Sequence, residues 1–298
     1  MMETDNNLIN ININSIDMLK KPEINISGEK CIINAENIDY KSLNYSIRSI
    51  LNEIKYSQVY ESDTLRKIKT IELNNVSGQR YIGDGIQSKI IISIKGTPGN
   101  DLGVFMDGPE IEVFGNVQDG TGNTMNSGKI IVHGSAGDIL GYSMRGGEIY
   151  IKENAGYRSG IHMKSYLEKF PVIVIGGKAG NFLGEYMAGG IIIILGIYNS
   201  VNQVKNFYLF DDNEAAGNYI GTGMHGGKIF IRGQISNHKL GKEIIKSEIN
   251  EEDKELIQKY LNNYYKYFGI NDKEKVKLKD FIKLSPFSKR PYGKLYAY

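Results

Sequence analysis

A repeat of 19 residues constrains the fold of this sequence more than any other feature. Methionines recur at that interval, and two later ones follow after 24 and 37 residues, at Met106, Met125, Met144, Met163, Met187 and Met224. A glycine lies three residues before each methionine, at Gly103, Gly122, Gly141, Gly160, Gly184 and Gly221. An aliphatic pair follows each methionine, at Ile111/Val113, Ile130/Val132, Ile149/Ile151, Ile173/Ile175, Ile192/Ile194 and Ile229/Ile231, with Ile92/Ile94 one period earlier. About seven copies of one unit therefore cover residues 78 to 233.

A unit of this length, with two short strand-like pieces between glycine corners, cannot bury its apolar side alone, so the copies must stack. The unit contains no helical segment, which excludes helical and leucine-rich arrays and predicts an all-β solenoid with flanking α-helices. Seven strands stacked at about 4.8 Å would give a rod roughly 34 Å long, with the methionines and isoleucines as internal ladders. Hexapeptide-repeat solenoids are rejected, because 19 is not a multiple of six.

The corners account for the 35 glycines, since glycine, asparagine and aspartate tolerate left-handed backbone at bends. One corner column holds Asn100, Asp119, Asp138, Asn181 and Asn218. The stretch GTGMHGG, residues 221 to 227, has the G-x-G-x-x-G spacing of a dinucleotide fingerprint. It runs into the strand-like KIFIR rather than a helix, so we interpret it as another corner of the repeat.

The flanks of the repeat predict helices. Leu43, Ile47, Ile50, Leu51 and Ile54 follow helical spacing from Asp39 and could cap the N-terminal end of the rod. Leu256, Ile257, Tyr260, Leu261, Tyr264 and Phe268 predict a second amphipathic helix that ends near Gly269. We therefore divide the chain into a variable extension (1–30) that is strand-containing or disordered, a capping segment with a helix (31–77), the β-helix (78–235), and a C-terminal helix with a tail (236–298) that is extended from Ser285 to Tyr298.

Two insertions interrupt the rod, Lys164 to Phe170 and Ile197 to Ala216. The longer one contains Phe207, Tyr208, Phe210, Asp211 and Asp212. Each insertion either carries contacts or is a tolerated surface excursion.

One outward-facing column is apolar, at Ile131, Tyr150, Val174, Ile193 and Phe230. Alternation along a strand points these side chains away from the interior. A continuous apolar patch of this kind is usually covered. The cover is either the C-terminal helix of the same chain or another protein chain, and the sequence leaves both open.

Candidate catalytic residues are sparse. Asp119 and Asp138 would stack in adjacent coils, as carboxylates do in carbohydrate-active β-helices, but the turn interpretation is favoured because their column neighbours are Asn100 and Tyr157. His133, His162, His225 and His238 occupy different columns and show no metal-ligand spacing. The one cysteine, Cys31, excludes a disulfide framework and cannot by itself hold zinc or an iron–sulfur cluster. We therefore predict no catalytic, cofactor-binding or metal-binding residue on this chain.

Charge and hydropathy argue against nucleic acid and membranes as partners. The 36 basic and 34 acidic residues give a net charge of +2, so no global bias toward nucleic acid or an anionic membrane exists. No apolar run is long enough to span a bilayer, and the start MMETDNNLIN lacks the features of a secretory signal. We expect a cytoplasmic protein that binds neither nucleic acid nor membrane.

The segments SGQRYIGDG, PGNDLGVFMDGP, QDGTGNTMNSGKIIVHG, GDILGYSMRGGEIYI, GGKAGNFLGEYMAGG and GTGMHGGKIFIRG resemble the G-x-G-x-G domain of the glutamate synthase large subunit. The likeness covers about residues 31 to 235, and it is strongest to the stand-alone form found where that subunit is split into separate chains, as in archaea. The resemblance implies a right-handed parallel β-helix with a structural role. It carries over no catalytic residues.

The resemblance also implies partners. A glutamine amidotransferase chain and a synthase chain with FMN and an iron–sulfur cluster would carry the chemistry, in which glutamine-derived ammonia and 2-oxoglutarate give glutamate. This chain begins Met-Met, without the N-terminal nucleophilic cysteine of an amidotransferase. The Asn-rich N-terminus and the insertion at 197–216 depart from the family pattern. The C subunit of formylmethanofuran dehydrogenase is the runner-up family, and a solenoid enzyme acting on carbohydrate is a third hypothesis.

Overall fold

The computed structural model describes residues 20–60, 65–197, 214–271 and 276–287. Its strands, in chain order, are β1 (Glu23–Ser27), β2 (Lys30–Asn34), β3 (Thr70–Ser77), β4 (Ile91–Thr97), β5 (Asp107–Phe114), β6 (Ser127–Val132), β7 (Glu148–Ile151), β8 (Val172–Ile175), β9 (Ala188–Ile194), β10 (Gly226–Arg232), β11 (Ile244–Glu248) and β12 (Phe281–Pro286). Helix α1 (Tyr40–Tyr60) lies between β2 and β3, and helix α2 (Glu251–Phe268) lies between β11 and β12.

All strands of the described residues form one sheet that winds as a parallel β-helix. Their order is β1-β2-β3-β4-β5-β6-β7-β8-β9-β10-β12-β11, and each pair from β2 to β10 is parallel. The pairs at the two ends are antiparallel. This confirms the predicted all-β solenoid. The seven strands expected from the repeat are β4 to β10, and about six turns of chain join them, slightly fewer than the seven coils predicted.

The predicted internal ladders are present and in register. Ile111 pairs with Ile92 and Ile130, and the same column continues through Ile149, Ile173, Ile192 and Ile229. The six repeat methionines are all fully buried. The columns also extend toward the N-terminus, where Cys31 pairs with Ile71 and Ile71 pairs with Ile92. The interior is therefore one continuous apolar stack.

Each corner glycine lies directly against an isoleucine of the next coil. A Cβ added to Gly141 would lie 2.5 Å from the Cδ1 of Ile173, and one added to Gly160 would lie 2.5 Å from the Cδ1 of Ile192. Both glycines have positive φ, +65° and +73°. Glycine is required at this position both by backbone conformation and by space.

Helix α1 covers the first coils, as its spacing predicts. Leu43, Ile47, Ile50 and Ile54 are buried and belong to the same apolar cluster as the ladders. The Asn44 side chain donates a hydrogen bond to the carbonyl of Arg80 at 2.8 Å, which fixes the helix to the first corner.

Helix α2 covers the outer apolar column, so the cover is supplied in cis. The column residues Ile131, Tyr150, Val174, Ile193 and Phe230 are at most 1% exposed. They form one cluster with the buried face of α2, Ile257, Tyr260, Leu261, Tyr264, Tyr265 and Phe268. An 18-residue helix is about 27 Å long, enough to cover five strands that span about 19 Å.

The ends of α2 are set by polar contacts. Asn250 and Asp253 form a capping box at the start, and Gly269 closes the helix in a left-handed conformation with φ 63°. The Asp253 carboxylate is fully buried and binds Lys228 at 2.7 Å and Lys283 at 2.6 Å. Since Lys228 lies in β10 and Lys283 in β12, this one carboxylate ties the helix to two strands.

The insertions and tails are described only in part. Residues 164–170 form a small exposed excursion in which Tyr166 and Lys169 pair and Leu167 is 86% exposed. Most of the second insertion, with Phe207, Tyr208, Phe210, Asp211 and Asp212, lies outside the described residues, as do residues 1–19 and 288–298. The proposed division of the chain into four segments stays a prediction.

The glycine contact predicts a difference between two substitutions that share the same backbone strain. Gly160→Ala should lower the free energy of unfolding by about 1–3 kcal/mol more than Gly78→Ala, because the new methyl would overlap Ile192. Gly78 also has positive φ, +80°, but a Cβ there meets nothing within 4 Å. Denaturant unfolding of the two variants measures the difference. Equal losses would contradict the close-contact argument.

The buried carboxylate predicts an acid-sensitive helix. Burial alone would raise the pKa of Asp253, but hydrogen bonds from Lys228 and Lys283 outweigh it and hold the pKa below its usual value. The stabilisation that ionised Asp253 gives the folded protein is therefore complete above about pH 4, the pKa of aspartate in the unfolded chain. It is lost as pH falls through the lower pKa of the folded state. Asp253→Asn should cost on the order of 3 kcal/mol at pH 7 and should flatten the acid limb of the stability profile.

The matched control is Glu251→Gln in the same helical turn. Glu251 pairs with Lys254, but its side chain is 85% exposed, so its loss should change stability little. Urea unfolding between pH 3 and 7 compares the two variants. An Asp253→Asn protein as stable as the control would show that the buried ion pairs do not hold α2.

Candidate functional site

The corners of the rod are built from a backbone pattern that the structure repeats in every coil. Positive φ occurs at three alternate positions, for example at Arg158, Gly160 and His162, with φ 56°, 73° and 54°. The middle residue points inward and is always glycine. The two outer columns hold Asp101, Gly120, Ile139, Arg158, Phe182 and Tyr219, and Phe105, Thr124, Ser143, His162, Tyr186 and Gly223. Their side chains point outward, so the corner accepts bulky residues there.

This pattern explains GTGMHGG. Gly221 belongs to the inward column, and a Cβ there would lie 2.5 Å from Ile244 Cδ1. Gly223 belongs to an outer column, and the Tyr186 ring lies directly over it. The chain then continues into β10 (Gly226–Arg232), a strand. A dinucleotide fingerprint would open a helix, so the interpretation as a corner is confirmed.

Asp119 and Asp138 belong to a hydrogen-bond ladder. Asp119 Oδ1 accepts from the backbone N–H of Asp138 at 2.8 Å, and Asp138 Oδ1 accepts from the N–H of Tyr157 at 2.8 Å. Asn181 accepts from Asn218 in the same way at 2.7 Å. The carboxylates therefore satisfy the backbone of the next coil, which is the turn role expected for them.

Two other titratable candidates, His133 and Cys31, also have structural surroundings. His133 stacks on Phe114 at 4.6 Å and binds Glu112 at 2.8 Å. Burial raises the pKa of the Cys31 thiol to about 12, so it stays protonated and unreactive. Among the described residues, no group of three His, Cys, Asp or Glu side chains could hold a metal ion.

Two surface hollows contain cationic side chains that bind other parts of the protein. The larger, about 940 Å³, lies beside Arg232 and Lys246. Arg232 donates to the carbonyl of Leu195 at 3.1 Å, and Lys246 donates to the carbonyl of Ile235 at 3.1 Å. The smaller, about 660 Å³, contains Lys228, which is committed to Asp253. The larger hollow also contains Glu248 and Asp280, and the Asp280 carboxylate lies 3.9 Å from Arg232 Nε.

The feature that sequence reasoning missed is a partly exposed aromatic surface on the corners, which we name the corner strip. It consists of Tyr142, Tyr157, Arg158, His162, Phe182, Tyr186 and Tyr219. One row runs from Tyr142 through His162 to Tyr186, with ring centroids 6.0 and 5.2 Å apart. The other runs from Tyr157 through Phe182 to Tyr219, with centroids 5.3 and 4.7 Å apart.

Arg158 lies within the second row, and its charge is neutralised inside the strip. Its guanidinium lies 4.8 Å from the centre of the Tyr157 ring and 5.3 Å from that of Phe182. Its Nε lies 2.8 Å from Glu185 Oε2, and the Glu185 side chain is only 6% exposed. The strip is thus an aromatic surface with one internally paired ion pair. Bulky residues next to the corner glycine were the signal in the sequence that could have revealed it.

Neither helix within the described part of the chain is long and apolar enough to cross a membrane.

Comparisons with known proteins address the whole rod. Residues 41–288 match a family model described as "GXGXG motif", from the first helix to the end of the last strand. An uncharacterized protein of Methanocaldococcus jannaschii is 47% identical over 272 residues, which cover 90% of this chain and 97% of the relative. A chain of the formyltransferase/hydrolase complex of Methylorubrum extorquens, solved in complex with methylofuran, is similar with a TM-score of 0.48 and 21% identity. That likeness covers 65% of this chain and 66% of the other.

The ladder predicts how Asp138 responds to substitution. Asp138→Asn keeps the acceptor oxygen and should change the free energy of unfolding by less than about 0.5 kcal/mol, whereas Asp138→Ala should cost about 1 kcal/mol. Chemical denaturation measures both. The matched control is Asn154→Ala, which removes the acceptor for the backbone N–H of Lys178 in a neighbouring ladder and should cost about as much as Asp138→Ala. A glycan-cleaving activity that Asp138→Asn abolishes would contradict the structural role.

Proposed function

We propose, because the chain belongs to the GXGXG motif family, that it is a non-catalytic structural subunit of a glutamate synthase. The match over residues 41–288 is the observation that carries the proposal, together with the resemblance of the repeat to the glutamate synthase domain. In this proposal the rod holds a glutamine amidotransferase chain and an FMN and iron–sulfur chain in fixed positions.

The chemistry of the proposed reaction is assigned to the partner chains. Ammonia released from glutamine combines with 2-oxoglutarate in a two-electron reduction, which FMN and an iron–sulfur cluster would serve. An iron–sulfur cluster needs several thiolates, and this chain has one cysteine, which is buried. Its residues therefore do not fit the cluster, which the proposal assigns to a partner chain.

The side chains of the rod support a structural role. The carboxylates of Asp119, Asp138 and Asp253 are all engaged in holding backbone or strands together. Burial keeps the Cys31 thiol protonated, since it raises the pKa of that group. In this proposal the subunit contributes a rigid surface that binds the partner chains.

The proposal predicts co-purification with two defined chains. The tagged full-length protein should be colourless and inactive alone, and should retain both the amidotransferase chain and the flavin chain from its native cells. The assembled complex should show flavin absorbance and form glutamate only when both glutamine and 2-oxoglutarate are present. Mass spectrometry identifies the retained chains, and the tag alone is the control.

Two results would overturn this assignment. Retention of neither chain by a folded protein would remove the proposed role. If the protein instead retains chains that contain molybdenum or tungsten, it would be a subunit of a one-carbon dehydrogenase such as formylmethanofuran dehydrogenase. Metal analysis of the complex distinguishes the two assignments.

A further inference from the structure

We infer that strand β11, at the C-terminal edge of the sheet, pairs antiparallel with β11 of a second copy of this chain. Two rods then join end to end about a two-fold axis, and their sheets become continuous. This pairing goes beyond the proposed function and does not depend on it, because it requires only the isolated chain. The free backbone edge of β11 and two opposite charges on it carry the inference.

Strand β11 is the last strand of the sheet and has a neighbour, β12, on one side only. Phe287 donates its backbone N–H to the carbonyl of Glu243 at 2.9 Å, which sets the alternation of hydrogen bonds in this antiparallel ladder. Every second residue from Glu243 bonds to β12, so Lys246 and Glu248 direct their backbone groups to the free side. Within the described part of the chain these groups meet no partner. The edge is therefore a template for another strand.

The same two residues end the internal ladders with opposite charges. Lys246 lies opposite Leu284, and Glu248 lies opposite Ile282. Both of these partners pair in turn with the inward aliphatic column of β10, and residues directly opposite each other share a side of the sheet. Lys246 and Glu248 are exposed there, at the end of the rod. Among the described residues, Lys246 Nζ binds the neutral carbonyl of Ile235 at 3.1 Å and Glu248 binds no cation, so neither charge is paired.

The spacing of these charges selects one register for two copies. Self-pairing about Ser247 sets Lys246 of each copy opposite Glu248 of the other and brings their free backbone groups into hydrogen-bonded pairs. Pairing about Lys246 or about Glu248 would place like charges against each other at the axis. Pairing about Ile245 would need the N–H of Ile244, which already donates to the carbonyl of the preceding turn at 3.1 Å. The register about Ser247 satisfies both the backbone and the charges.

The opposite end of the rod offers no equivalent partner. The edge strand there is β1, whose Ile24 and Ile26 pair with the inward column of β2. A head-to-tail contact of β11 with β1 would set Lys246 and Glu248 against these isoleucines. Charges placed against an apolar edge lose water without gaining a partner. The chain therefore forms a closed pair rather than an open filament.

Inward charges on an edge strand can also serve only to keep other strands away. Charges of one sign would repel a second copy, whereas one lysine and one glutamate two residues apart make the edge complementary to itself. The other side of β11 is apolar, since Ile245 is 48% exposed. In the register about Ser247 it lies opposite the half-buried Ile249 of the second copy. Both sides of the strand are therefore compatible with self-pairing.

Reciprocal charge reversal in the full-length protein tests this pairing. The wild type should be a dimer by light scattering coupled to size-exclusion chromatography and by sedimentation equilibrium. Lys246→Glu and Glu248→Lys should each raise the dissociation constant of the dimer by tenfold or more, because each sets two pairs of like charges across the axis. The double variant Lys246→Glu/Glu248→Lys restores both opposite pairs and should dimerise as the wild type does.

An equimolar mixture of the two single variants provides a second test. One copy then presents two carboxylates and the other two ammonium groups, so the mixture should form dimers although neither variant does so alone. The matched control is Lys242→Glu, because Lys242 is exposed just before β11 and lies outside the paired register. It should leave the dimer unchanged. Circular dichroism and the thermal midpoint show whether each variant is folded.

Three results would overturn the inference. These are a wild type that is monomeric or forms larger assemblies, a dimer that both single reversals leave intact, and a folded double variant that stays monomeric. The double variant decides the question even if a single reversal prevents folding. Because these measurements use the isolated chain, a failed dimer leaves the proposed role in glutamate synthase standing. Failed co-purification with the partner chains likewise leaves the dimer standing.

Discussion

The contact between the corner glycine of one coil and the isoleucine of the next determines the geometry of the whole rod. Because a Cβ at Gly160 would overlap the Cδ1 of Ile192, glycine lets the isoleucine of the next coil pack directly against the corner while the strands keep the spacing of a β-sheet. That spacing brings the isoleucine and methionine ladders into contact and aligns Asp119 and Asp138 with the backbone N–H groups they accept from. The core, the sheet and the ladders all depend on this approach.

Much of the fold could be predicted because the repeat records it directly. A 19-residue period with one glycine and one aliphatic pair per turn has few stacked solutions, and the register of β4 to β10 follows from it. The cover of the outer column could not be decided in the same way. Amphipathic spacing shows that α2 has a buried face, but not which surface it covers. The structure shows that α2 of the same chain covers the column, because the two form one buried cluster. The ion pairs of Asp253 with Lys228 and Lys283 hold the helix in that place.

The candidate site was harder to predict, for a related reason. The glycines of GTGMHGG could be assigned to columns from spacing alone. Their neighbours Phe182, Tyr186 and Tyr219 carry no sequence signal for left-handed backbone, because aromatic residues rarely adopt it. The repeat places them next to the inward glycine, but only the backbone shows that every outer corner position shares its conformation. The sequence therefore signals the corner strip only as bulky residues beside the corner glycine, and the structure shows that these residues stack in two rows.

Most surfaces of the rod already have a structural role. Helix α2 covers one face, and the polar corner residues form hydrogen-bond ladders that link successive coils. Carboxylates committed in this way lack the freedom and the open geometry that acid–base chemistry needs. A corner, by contrast, tolerates any side chain that points outward, since its conformation is imposed by the coils above and below. A stacked solenoid can therefore vary its corner surface without changing its core, and this suits it to holding partner chains in place.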